Sequence, residues 1–345
     1  MLRSAFRSAL PLIAFVVASC SSGTEDDGDA TLNPSGVTDD GGSGTDGTST
    51  ANTTSGSVGS SPAAAAGSLN LTSGGTSSTT SGGGGAPEVC DGIDNDGNGI
   101  ADDVDAGGDG VCDCLNIATL GQIGPWSDGG NVFETWLNAR SPLGATALAD
   151  EIITPELLAP FNVVVVLHVD TTSISNGDRM AAAHHAFSDS EAAAFGAWVQ
   201  GGGGVMTTIG YTGDEAAEVV NVNRLLAAVG MGYSATNLDL TGHVQEWDEH
   251  PITLGVTNIF TDNGVEPAAT GGTTVARGQA DGQPALQVTD AGSGRVVVWG
   301  DEWITYDSEW ADVEEQQVEL LWLNILKWLS PPLTCQVPIP PQIIK

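Results

Sequence analysis

The chain has 345 residues, 44 acids against 9 bases, and a formal net charge of −35. A chain this acidic excludes nucleic acid as a partner, because binding there needs cations to neutralise phosphates. It attracts cations instead, and Ca²⁺ is the hard divalent ion that oxygen ligands suit.

The chain opens with Arg3 and Arg7 and no acid, followed by an apolar run from Ala9 to Ala18 broken only by Pro11. That run is too short for a spanning helix of about 20 apolar residues and fits a signal peptide over residues 1–19. It ends Val17-Ala18-Ser19-Cys20, which resembles the bacterial lipobox. The resemblance implies lipidation of Cys20 and, with Ser21 rather than Asp after it, passage to the outer membrane. The expected address is therefore the cell envelope, with the membrane as a partner through the lipid anchor. Residues 20–86 are rich in Ser, Gly and Thr, with no Lys, Arg or aromatic residue. Such a segment buries too little surface to offset its chain entropy and is expected to be a disordered tether. As a flexible coil it reaches about 40–50 Å.

Residues 87–114 form an acidic block with nine acids and no base. Asp94, Asp96 and Asn98 alternate, Gly99 stands sixth, Ile100 seventh, Asp102 ninth and Asp105 twelfth. This is the spacing of a calcium loop, in which alternate residues of a tight turn aim hard oxygens at one ion, with Asp in place of the closing Glu. Calcium is thus the expected cofactor, in a structural role, since the segment has almost no core of its own. No amphipathic helix flanks the loop. The run Glu88-Val89-Cys90-Asp91-Gly92-Ile93-Asp94-Asn95-Asp96 resembles a metal-binding repeat of bacterial surface proteins, although that family usually has a cysteine where Gly97 stands. Asp109-Gly110-Val111-Cys112-Asp113 resembles thrombospondin type 3 repeats.

With Cys20 lipidated, Cys90, Cys112, Cys114 and Cys335 remain. An even number in an exported chain predicts two disulfides. Cys112 and Cys114 are too close to pair comfortably, so Cys90 is expected to take one of them and Cys335 the other.

Residues 115–333 read as an α/β domain, and 334–345 as a Pro-rich tail. Strands are predicted over Asn116–Ile123, Asn162–Val169, Val205–Ile209 and Arg295–Trp299. Asn162–Val169 is continuously apolar, as in a strand buried on both faces. Helices are predicted over Asn131–Arg140, with Val132, Trp136, Leu137 and Arg140 on one face, and over Thr154–Leu158, capped by Thr154. A third starts at Ser188 with Glu191 as capping-box partner and stops at Gly201. A fourth covers Asn221–Val229. The last covers Glu314–Leu329, with Val318, Leu321, Trp322, Ile325, Leu326 and Leu329 facing inward. The alternation predicts a flavodoxin-like, doubly wound, mostly parallel sheet. Gly201–Gly204 follows a helix and precedes a strand, the reverse of a phosphate cradle, and reads as a helix stop.

Phe187–Glu191 leading to Trp198–Met206, then His250–Val256, Gly294–Asp301 and Leu321–Leu329, together resemble class I glutamine-amidotransferase-like domains of the trehalose-utilisation branch. Catalytic members carry a cysteine on the turn after the strand matching Val205–Ile209. That turn is Gly210-Tyr211-Thr212 here, so a Cys–His mechanism is not expected. Ligands of doubly wound sheets bind outside the carboxyl ends of the strands. His168, Asp170, Tyr211, Asp301, Glu302 and Trp303 are predicted at that edge, with His250 approaching it, as a possible pocket. His184 and His185 read as solvated loop residues rather than a metal pair. The expected function is a non-enzymatic surface lipoprotein that binds a glycan or an envelope protein. The alternatives are a hydrolase-type enzyme using the carboxylate–histidine edge, or a passive envelope component.

Overall fold

The computed structural model describes residues 85–126, 128–210, 215–234, 240–268, 271–278, 282–312, 315–331 and 335. The signal segment with Cys20, nearly all of the tether, Tyr211, Thr212 and most of the tail lie outside the described residues. The chain divides between Thr76 and Ser77, and every described residue belongs to the second unit.

In chain order the elements are β1 (Ile117–Leu120), α1 (Asn131–Asn138), β2 (Thr146–Ala149), α2 (Pro155–Leu158), β3 (Val163–Val166), β4 (Ile174–Asn176), β5 (Arg179–Ala181), α3 (Asp189–Gln200), β6 (Gly204–Thr207) and α4 (Glu215–Leu226). Then follow β7 (Leu240–Trp247), β8 (Ile259–Gly264), β9 (Thr273–Gly278), β10 (Pro284–Ala291), β11 (Gly294–Trp299), α5 (Asp307–Ala311) and α6 (Val318–Leu329). Nine strands make one sheet in the order β2-β1-β3-β6-β11-β10-β9-β7-β8, and β4 and β5 form a separate hairpin.

The pairings from β2 to β11 are parallel, and those from β11 to β8 are antiparallel. This mixed sheet corrects the expectation of a mostly parallel one. Within residues 240–291 β7 pairs with both β8 and β9, so the connection from β8 to β9 steps over β7, and all these pairings are antiparallel. The sequences of these strands are too polar to stand out: β7 buries Leu240 and Val244 and exposes Thr241 and Gln245. β10 turns into β11 through Gly292 and Ser293. Gly292 holds a φ of 66°, and a Cβ there would meet the Gln200 carbonyl oxygen at 2.6 Å, so glycine is required twice over.

The parallel half is covered on both faces. Val163 and Val165 of β3 point into one apolar layer with Phe133 of α1 and Trp322 and Ile325 of α6. Val164 and Val166 point into the other, with Leu158 of α2, Phe195 and Val199 of α3 and Val222 of α4. This is the period-two alternation of a strand with no solvent side. In α6 the six residues predicted to face inward are all buried. In α1 the inward face is Phe133, Trp136 and Leu137, while Val132 is 45% exposed, a correction of one position. Thr154 caps α2 through the Leu157 amide at 3.2 Å. Ser188 and Glu191 close their capping box on α3, at 3.3 and 2.8 Å.

The acidic block is attached to this core. Val111, Cys112 and Cys114 are buried in the layer of α1 and α6. Asp109 pairs with Arg140 at 2.7 Å, and that guanidinium lies 3.7 Å over the Trp136 ring. Disulfides join Cys90 to Cys114 and Cys112 to Cys335, with Cα atoms 5.3 and 5.1 Å apart.

The Cys112–Cys335 bridge spans 223 residues of sequence. Replacing both cysteines by alanine is expected to lower stability by about 2–4 kcal/mol, chiefly by freeing the unfolded chain. Urea unfolding of the oxidised protein and of the double variant measures this, and equal midpoints would show that the bridge contributes nothing.

Candidate functional site

The valines of β3 hand over directly to Leu167-His168-Val169-Asp170. Beyond β6 come Thr208, Ile209 and Gly210, and beyond β11 come Gly300, Asp301 and Glu302. These are adjacent parallel strands, so their continuations leave the same edge of the sheet side by side. His168, Asp170, Thr208 and Glu302 are all buried there. α4, packed over the same end, adds Glu218, which is 1% exposed. The segment after Glu302 adds the buried Tyr306.

His168 Nδ1 lies 3.3 Å from Glu218 Oε1, an ion-pair distance without hydrogen-bond alignment. That Glu218 oxygen also accepts the Val169 amide at 3.0 Å. Two glycines make room for Glu302. A Cβ on Gly210 would meet Glu302 Oε1 at 2.8 Å, and a Cβ on Gly124, beyond β1, would overlap the same carboxylate and meet the Tyr306 hydroxyl at 2.7 Å. Asp170 Oδ1 is held by the Thr172 amide and hydroxyl, at 2.8 and 2.9 Å. His168 Nε2, Asp170 Oδ2, Thr208 Oγ1 and Glu218 Oε2 find no hydrogen-bond partner among the described residues, while Glu302 and Tyr306 engage each other and nearby backbone. Buried polar atoms are rarely left unpaired, because each costs roughly 1–3 kcal/mol. Four of them in one cluster mark a place where interaction capacity is held in reserve.

The charges are strongly perturbed. Burial acts to lower the His168 pKa, but Glu218, with Glu302 and Asp170 behind it, more than reverses this and lifts it to about 9. Burial raises Glu302 to about 7, against the pull of His168. Burial, then Glu302, pushes the Tyr306 hydroxyl up as well. The cluster therefore holds an imidazolium next to a carboxyl that changes charge near neutrality, an arrangement typical of functional sites.

Other residues read from the sequence fall elsewhere. Asp301 is a structural latch: its Oδ2 accepts the Asp262 amide at 2.6 Å, and its Oδ1 accepts the Trp303 amide at 3.2 Å. Burial raises its pKa well above the usual range. Trp303 packs edge-on against Tyr306 and Phe260. His250 lies away from the cluster. Its Nδ1 caps a short turn through the Ile252 amide, and its ring meets Trp328, which also holds Arg295 at the amino end of β11, opposite Asp301. Tyr211 lies outside the described residues. Glu218 and Tyr306 were not singled out from sequence. Glu218 was visible in principle, lying four and seven residues before the buried Val222 and Leu225, a carboxylate in the apolar stripe of a helix.

In the acidic block, one oxygen each from Glu88, Asp94 and Asp96 gather within 4.8 Å of one another. Asp94 also accepts the amides of Gly97, Asn98 and Gly99, the tight turn its spacing anticipated. The rest of the expected set points elsewhere. Asn98 Oδ1 accepts the Ile100 amide at 2.8 Å. Asp102 binds the amides of Asp91 and Gly92, and Asp105 binds those of Asp109 and Gly110. Glu88, outside the expected set, is the third converging carboxylate, and its oxygens also accept the amides of Asn95, Asp96 and Asp102.

No protein-family model matches the chain, and no curated protein matches it. Among solved structures it is similar to the mmIFT52 N-terminal domain, at 14% identity and TM-score 0.47, covering 62% of this chain and 96% of that one. It is also similar to cytoplasmic protein STM1381 from Salmonella typhimurium LT2, at 15% identity and TM-score 0.46, covering 63% and 100%. A third is a putative ThuA-like protein from Bacteroides uniformis, at 14% identity and TM-score 0.41, covering 62% and 91%. These likenesses are distant and assign no activity to this chain.

Both perturbed groups make the folded state bind protons more tightly than the unfolded chain. The stabilisation from His168 is complete below its ordinary value of 6.5 and is lost as pH rises through about 9. Glu302 titrates from an ordinary 4.5 to about 7, so its contribution also falls as pH rises through that window. Melting temperature is therefore expected to fall from about pH 5 to about pH 9. H168N should flatten the upper part of that slope and E302Q the lower part. A wild-type melting temperature that rises across this range would contradict the charge assignment.

Proposed function

We propose that the α/β unit is a non-enzymatic binding module for a neutral, polyhydroxylated ligand such as a glycan, carried by an envelope lipoprotein anchored through Cys20. The observation that carries this reading is the cluster of unpaired donors and acceptors on His168, Asp170, Thr208 and Glu218, beside the Glu302–Tyr306 pair. Imidazolium donates; Glu218 Oε2 and Asp170 Oδ2 accept; Thr208 does either, and the Glu302–Tyr306 pair can exchange its mutual bond for one to the ligand. A hydroxyl group is both donor and acceptor, so adjacent sugar hydroxyls suit such a set. The surplus of carboxylates disfavours anions. Numbered on their own, the parallel strands run 2-1-3-4-5, and we read this half as flavodoxin-like, a layout whose ligands sit where the cluster lies. No cysteine stands in the sequence Gly210-Tyr211-Thr212, which favours binding over amidotransferase chemistry.

A second reading is an enzyme that uses Glu302 as acid and base. It is favoured by one observation, a carboxyl titrating near 7 beside a protonated histidine. Hydrolysis of chromogenic glycosides with a pH profile inflecting near 7 and lost in E302Q would establish it in place of the first.

Calorimetry of the full chain against a panel of neutral mono- and oligosaccharides tests the binding reading. At least one is expected to bind, with H168Q and E302Q each weakening it by about tenfold or more, the loss of a charged hydrogen bond. Failure of every saccharide to bind, or binding indifferent to both variants, would sink it.

We further propose calcium as a structural ion of the acidic block, held through Glu88, Asp94 and Asp96. Millimolar calcium is expected to raise the melting temperature. E88Q and D94N should lose that rise, while D105N, whose carboxylate serves its own turn, keeps it. No response of the wild type to calcium or chelator would remove calcium from this account.

A further inference from the structure

We propose that Asp150, His184 and His185 form a binding site for a divalent transition metal of the zinc class. The site lies where the loop before α3 passes the end of β2; it borders the buried cluster, since the His184 amide donates to the Asp170 carbonyl at 2.7 Å, but shares no side chain with it.

One ligand atom from each of the three residues lies within 4.8 Å of the other two. The Asp150 carboxylate is the centre: its Oδ1 lies 2.6 Å from His185 Nδ1 and 3.2 Å from His184 Nδ1. Tetrahedral zinc with bonds of about 2.0–2.1 Å needs ligand atoms about 3.3 Å apart, so small outward shifts of these atoms would admit the ion. Two imidazoles and a carboxylate are a donor set that suits zinc.

The far sides of both rings are already held. His185 Nε2 lies 2.7 Å from Glu191 Oε1, and His184 Nε2 lies 3.1 Å from the Ala149 carbonyl oxygen. Metal-binding histidines regularly donate their other N–H to such a carboxylate or carbonyl, which fixes the ring and aims the free nitrogen at the ion. Glu191 is itself fixed, by the Ile153 amide at 3.1 Å and by the amide and hydroxyl of Ser188, both at 2.8 Å. Ala149 holds a φ of 46°, in the left-handed region that alanine rarely adopts, at the residue whose carbonyl meets His184.

His184 supplies the strongest argument. With Nε2–H donating to Ala149, the Nδ1 lone pair of a neutral ring faces the His185 carbonyl at 2.9 Å and Asp150 Oδ1 at 3.2 Å. In the other tautomer a lone pair faces the Ala149 carbonyl instead. Either way a neutral ring opposes lone pair to oxygen, and only a cation relieves both contacts. A metal ion on Nδ1 meets the requirement while keeping the ring neutral. Asp150 is 56% exposed at its side chain, which leaves a coordination position open to solvent.

Cobalt(II) tests the site because it enters zinc sites and its visible absorption reports tetrahedral nitrogen and oxygen coordination. The full chain is first saturated with calcium, so that carboxylate clusters are filled. One equivalent of cobalt is then expected to give an intense visible band that zinc abolishes. D150N, at a half-exposed side chain, and H184Q should each weaken cobalt binding at least tenfold, while far-ultraviolet circular dichroism confirms that both variants fold. H250Q, at a histidine engaged elsewhere, should leave the band unchanged. If His185 merely bridges Asp150 and Glu191, the wild type takes up no cobalt at micromolar concentration, and the proposal is overturned. A band that survives in both D150N and H184Q overturns it equally.

Discussion

The four consecutive valines of β3 have no solvent side. A strand packed against helices on both faces can place polar chemistry only beyond its last residue. The same holds for β6 and, nearly, for β11, which lie next to it. This constraint gathers His168, Asp170, Thr208 and Glu302 at one edge. They meet because the strands that carry them are adjacent and parallel, and apolar along their length. α4 lies over the same end and contributes Glu218. The site is thus a by-product of how the core excludes water.

That exclusion has a cost. Taking an imidazolium and two carboxyl groups out of water is expensive, and their mutual attraction rarely repays it when lone pairs stay unpaired. A core selected for stability alone would fill these positions with leucine and methionine. Glycines at 124 and 210 do the opposite, opening backbone space for the Glu302 carboxylate. Asp301 shows the contrast within one dipeptide. It is buried as deeply as Glu302, yet both of its oxygens are satisfied by amides, and it ties β8 to the end of β11. Neighbouring acids can thus serve the fold and the site separately.

The legible part of the sequence follows from the same physics. Continuous apolar runs announced β3, β6 and β11, and cap residues announced α2 and α3, because each signal is local. His168 and Glu302 were placed at the edge by counting past those strands. The antiparallel half was not legible. β7, β8 and β9 lack the strict polar–apolar alternation that marks a half-buried strand, and their pairing is set by contacts beyond their own segments. Glu218 was missed because α4 begins six residues before its periodicity is plain. His184 and His185 looked like solvated loop residues, since nothing local announces that Asp150 and Glu191 close on them from two other segments. Convergence of that kind is a tertiary property.

The two disulfides have a mechanical consequence. Consider a pull applied between any point before Cys90 and any point after Cys335. The covalent path runs from Cys90 across sulfur to Cys114, back through Asp113 to Cys112, and across sulfur again to Cys335. Five residues bear the load. The acidic loop on one side and the whole sheet on the other hang from that path without lying in it. While both bridges stay oxidised, stretching such a chain would strain the bridges before it reached a single strand of the fold.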